Sequence, residues 1–135
     1  MVNQRKYQSA THEQLLECIR WCQSYLNLRD WFIDFYTGTR EPTDRSAGWT
    51  VIDYEQGDQW YEKAAIWVDI VLCKQKDSNP YVAVCHEMIH VLVMGKCRIN
   101  DDNDNEEYMN YALQDLLYCE FCRQKKKKIA PMQKI

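Results

Sequence analysis

Apolar residues recur along this chain with two different periods. Leu15, Cys18, Ile19, Cys22 and Leu26 fall at helical spacing, which predicts a helix over 11–27 with one buried stripe. Thr11 opens it, and Gln14 three residues on completes a capping box. Period-two alternation follows in three stretches. Trp31, Ile33 and Phe35 alternate with Phe32, Asp34 and Tyr36, a second strand is expected over 49–54, and a third, the most apolar, over 64–72. Between them, 37–48 is turn-rich, 55–58 turns at Gly57, and 73–79 reads as a charged loop. The stretch from Tyr81 to Met94 is then almost wholly apolar, as a buried helix is. Asn79 can cap that helix, Pro80 suits its first turn and Gly95 can end it. After a polar connection over 96–105, a final helix is expected from about 104 to about 124, burying Met109, Ala112, Leu113, Leu116 and Leu117. The expected fold is α+β: an N-terminal helix, a three-stranded antiparallel or mixed sheet, and two C-terminal helices on one face of it.

Composition narrows this to one domain over 1–135, with 1–10 and 125–135 as flexible tails. A hydrophobic content of 46% suffices for a core. No run of 18 apolar residues occurs, so no membrane span is expected, and the N-terminus lacks the apolar stretch of a signal peptide. Seven cysteines, an odd number, then read as reduced thiols of a cytoplasmic protein. The net charge of −3 makes no case for nucleic acid. The run of Arg123, Lys125, Lys126, Lys127 and Lys128 lacks interleaved aromatics and reads as a solvated tail.

Candidate chemistry sits inside the apolar helix. His86-Glu87-Met88-Ile89-His90 reads H-E-x-x-H, the zinc signature of a large group of metallopeptidases. Residues four apart share a helix face, so both imidazoles can reach one metal. Glu87 between them can contact a metal-bound water as general base. Surface charge cannot explain three ionisable groups in so apolar a helix, because buried ones need partners. A catalytic zinc usually has a third protein ligand. His12 is far upstream, which leaves the acidic block of Asp101, Asp102, Asp104, Glu106 and Glu107, with Asp115 and Glu120 beyond it. An EF-hand reading of that block fails for want of a glycine at the tight turn.

Glu106-Glu107-Tyr108-Met109-Asn110 and the continuation Tyr111-Ala112-Leu113-Gln114-Asp115-Leu116-Leu117 resemble the ligand helix of the gluzincins, ImmA/IrrE-type peptidases in particular, with Met109 where that family has Ala. The order of elements is similar to minimal zincins, SprT-like domains included. The resemblance implies one Zn2+ per chain held by His86, His90 and Glu106, with Asn110 orienting a histidine ligand. Glu107 is the competing third ligand, although a helix points it about 100° away. The resemblance also implies that the strand before the motif helix, with Ala64, Ala65, Ile66, Trp67, Val68 and Asp69, is an edge strand pairing with extended substrate. Tyr108 and Tyr111 are near enough in sequence to serve an oxyanion. The expected activity is hydrolysis of a peptide or protein substrate. The alternative is a catalytically silent module that binds a protein partner, and either could depend on a partner chain. Cys18-x3-Cys22 and Cys119-x2-Cys122 invite a second zinc site, but both pairs fall on expected helices, where Cys serves as a small buried hydrophobe. Cys85 and Cys97 read as core or loop residues.

Overall fold

The computed structural model describes residues 5–38, 46–56, 59–97 and 104–133, of which 53–56, 59–61, 104–109 and 127–133 are described by backbone alone. These residues form an α+β arrangement of four α-helices, one π-helical turn and a three-stranded mixed sheet. Helix α1 (His12–Tyr25) starts at the Thr11–Gln14 capping box, and Leu15, Cys18, Ile19 and Cys22 are fully buried. Strands β1 (Phe32–Thr37), β2 (Gly48–Gln56) and β3 (Gln59–Val68) follow, then α2 (Ile70–Gln75), α3 (Pro80–His90) and α4 (Asp104–Gln133). The expected turn at Gly57 lies outside the described residues, as do 39–45 and 98–103.

Sheet order is β1-β3-β2, with β1 parallel and β2 antiparallel to β3. Ile33 and Phe35 of β1 face the core in register with Ala64 and Ile66 of β3. Helix α3 packs between α1 and α4 and also lies against β2 and β3. The fully buried Leu15, Ile19, Val84, Met88, Ile66 and Val68 fill the space between these layers. Each contributes about 1.5–3 kcal/mol of burial. No helix among the described residues is long and apolar enough to cross a membrane.

The structure corrects several expectations. The third strand ends at Val68, four residues early. Asp69 accepts a hydrogen bond from the Leu72 amide at 3.1 Å and caps α2, so Ile70 and Leu72 are helical. A short apolar run suits a strand or a buried helix equally, and the cap decides. The strand at 64–68 is also central rather than an edge: both of its sides are paired, by β1 and by β2. Gly95 does not end the motif helix, which continues as a π-helical turn over Val91–Lys96. A Cβ on Gly95 would stand 2.6 Å from Cη2 of Trp31, so the glycine there admits the indole.

The last helix runs to Gln133 rather than about 124, so most of the expected C-terminal tail is helical. Its buried stripe is Asn110, Leu117, Tyr118 and Phe121, whereas Leu113 and Leu116 are exposed. Nor are residues 5–10 a free tail. The Arg5 guanidinium pairs with Asp115 at 2.6 Å, the Asn79 amide donates to the Arg5 carbonyl, and the Tyr118 hydroxyl donates to Gln8 Oε1.

Replacing Gly95 with Ala forces Trp31 out of its seat. Overpacking of this kind costs about 1–3 kcal/mol. Urea denaturation of Gly95→Ala should show that loss, and a midpoint equal to the parent's would contradict the packing described.

Candidate functional site

Helix α3 carries the site because its start is fixed. Asn79 caps it, accepting from the Tyr81 amide at 2.9 Å, and Pro80 occupies the first turn. One turn and a half later His86, Glu87 and His90 line a cleft of about 700 Å³. That volume is within the usual range for ligand sites, about 300–1,000 Å³. The opposite wall is the start of β2, with Gly48, Trp49 and Thr50, and Tyr111 and Gln114 of α4 close it from a third side.

The two imidazoles meet tip to tip. His86 Nε2 and His90 Nε2 are 3.0 Å apart, and the rings lie nearly perpendicular. Each outer nitrogen meets an amide side chain of α4. His86 Nδ1 lies 2.8 Å from Gln114 Oε1, which can only accept, so Nδ1 carries a proton and Nε2 a lone pair. His90 Nδ1 lies 3.3 Å from Asn110 Nδ2, and Asn110 is almost wholly buried. With that amide donating, His90 holds its proton on Nε2 and donates it to His86.

This donor set fits a zinc ion. Two nitrogens bound at about 2.0–2.1 Å to one tetrahedral zinc lie about 3.3 Å apart, close to the separation seen. Binding needs one proton moved: His90 must carry it on Nδ1, with the Asn110 amide turned to present its oxygen. Both amide oxygens then hold Nδ1–H groups, as partners of metal-bound histidines usually do.

Glu87 is buried, and its carboxylate is held from β2. Thr50 Oγ1 donates to Glu87 Oε1 at 2.7 Å. Gly48 lets the strand backbone come close on the other side, since a Cβ there would stand 2.6 Å from Glu87 Oε2.

The structure therefore brings together His86, Glu87, His90, Asn110 and Tyr111, whose ring lies 5.0 Å from that of His86. The side chains of Glu106, Glu107 and Tyr108 lie outside the described residues, although their backbone belongs to α4. His12 stands apart, stacked on Phe35. Of the expected substrate strand, no residue from Ala64 to Asp69 lines the cleft; β2 does. Gln114, Thr50 and Gly48 were not anticipated. Gln114 had a signal, since it follows Asn110 by four residues and so shares its helix face. Thr50 and Gly48 depend on how the sheet meets α3, which no local pattern encodes.

A second cluster also forms. Cys18, Cys22 and Cys85 are buried with their sulfurs within 4.8 Å of one another, whereas Cys119 is exposed. The pairing is thus with Cys85 of α3 and not with the Cys119–Cys122 pair. Thiol hydrogen bonds from Cys18 and Cys85 pull the Cys22 thiol down from its ordinary value, while the Cys18 thiol is pushed up chiefly by its contact with Cys22 and the Cys85 thiol chiefly by its contact with Cys18 and then with Cys22.

The zinc equivalent that disappears in the double variant His86→Ala, His90→Ala should bind about 10–100-fold more weakly in Gln114→Leu, the usual cost of losing a partner of a ligating histidine. Titration against a chromophoric chelator measures this, and an unchanged affinity would show that Gln114 does not orient His86. Compared with protein-family models, curated proteins and solved structures, the chain finds no match.

Proposed function

We propose that this chain is a zinc-dependent peptidase of gluzincin type. The observation that carries the reading is the convergence of His86, Glu87 and His90 on one cleft, with Glu87 held by Thr50 and His86 by Gln114. His86 and His90 would hold the zinc, with Glu106 as third ligand. In a helix that is continuous from Asp104, residues 106, 110 and 114 share a face, and Asn110 and Gln114 of that face meet the histidines. Residue 107 lies about 100° around, which ranks Glu107 second.

When bound, zinc supplies a Lewis acid that polarises a carbonyl and lowers the pKa of water toward about 7. Glu87 accepts the proton of the attacking water and returns it to the leaving amine. The Thr50 hydroxyl, donating to Oε1, fixes the carboxylate in the cleft from which it takes that proton. A hydrogen-bond donor for the developing oxyanion is available in Tyr111, which borders the cleft with its ring half-exposed.

Substrate would lie along β2 rather than β3. Only one side of β2 is paired among the described residues, and its first residues form the cleft wall. An extended peptide can add to such an edge through main-chain hydrogen bonds, with its side chains sorted by pockets. Trp49, partly exposed at the cleft, offers an apolar contact there.

Glu87→Gln should keep its zinc and lose about 10²–10⁴-fold in the rate of cleaving fluorescently labelled casein, the usual contribution of a general base. Cleavage by Glu87→Gln at the parent rate would refute the mechanism. A zinc-loaded parent that binds the casein without cutting it would leave a binding module.

A further inference from the structure

Cys18 and Cys22 lie one helical turn apart on α1, and Cys85 meets them from α3. All three are fully buried, and their sulfurs are within 4.8 Å of one another. Sulfurs bound to one metal at about 2.3 Å lie about 4 Å apart, so small side-chain adjustments let the three share an ion.

The donors restrict which ion. No carboxylate or imidazole joins the cluster among the described residues. Three sulfurs in a dry site favour soft cations over magnesium, calcium or manganese. Structural zinc is almost always four-coordinate, and the set is one donor short. Cys122 on α4 is near enough to act on Cys18 electrostatically, but its sulfur falls outside the group. Copper(I) is soft and accepts three thiolates in a plane.

We propose that Cys18, Cys22 and Cys85 form a second, buried metal site that takes one copper(I) ion and through it ties α1 to the helix bearing the histidines. Each thiol that becomes a ligand releases its proton to solvent, and no electron is transferred. The site is closed, so it loads as the chain folds. It stands independently of the peptidase reading, because it uses neither histidine nor Glu87.

The test uses the full chain carrying His86→Ala and His90→Ala, which silences the first site. This protein is refolded without oxygen in copper(I) held by bicinchoninate. One copper(I) per chain should be retained, with thiolate-to-copper absorption in the ultraviolet. Adding Cys22→Ala should abolish retention, while adding Cys97→Ala or Cys119→Ala should not change it. No retention in the background protein, or full retention with Cys22→Ala, overturns the site. Loss with Cys122→Ala overturns the three-sulfur assignment in favour of four. X-ray absorption at the copper edge, on the background protein, decides independently of how any cysteine variant folds. Three sulfurs support the proposal, and two or fewer overturn it.

Discussion

Two imidazoles and a carboxylate occupy the middle of an apolar helix, and each must find a partner there. An unpaired buried polar group costs several kcal/mol, of order 1–3 from mutational data, and a buried charge more. Neighbouring elements meet this demand. Gln114 and Asn110 of α4 reach the outer nitrogens of His86 and His90, and Thr50 of β2 reaches Glu87. The same three contacts set α4 and β2 against α3, and the cleft is the space these three elements enclose.

The rotation of α4 follows from this. Its hydrophobic residues alone would turn Leu113 and Leu116 inward. Instead Asn110 is buried while Leu116 is 67% exposed. Burying Leu116 is worth about 1.5–3 kcal/mol, comparable with the cost of leaving one histidine nitrogen unpaired, and α4 satisfies two. Tyr118 and Phe121 then complete the core from the same face, stacked on Tyr81 of α3. Polar pairing at the site thus sets which hydrophobic residues of α4 count as core.

Local signals were legible where one element decides for itself. The Thr11–Gln14 box and the Asn79–Pro80 start need no tertiary context, and both helices begin where those residues place them. The alternation that points Ile33 and Phe35 inward likewise survives, and Ile66 and Val68 of β3 are buried with them. What the sequence could not convey is pairing order. Whether the strand at 64–68 is an edge depends on which strand comes to lie outside it, and β1 crosses to its far side. Gly95 misled because a glycine near a helix end also serves close approach, here of Trp31. The cysteine cluster was half visible: Cys18 and Cys22 share a face, but Cys85 joins them only through the packing of α3 on α1.

The central claim is that His86 and His90 share one metal beside the Glu87 carboxylate. Diffraction from zinc-loaded crystals, recorded across the zinc absorption edge, tests it most directly. The account predicts the strongest anomalous peak about 2.0–2.1 Å from both Nε2 atoms. A peak among the cysteine sulfurs alone, or none, would contradict it.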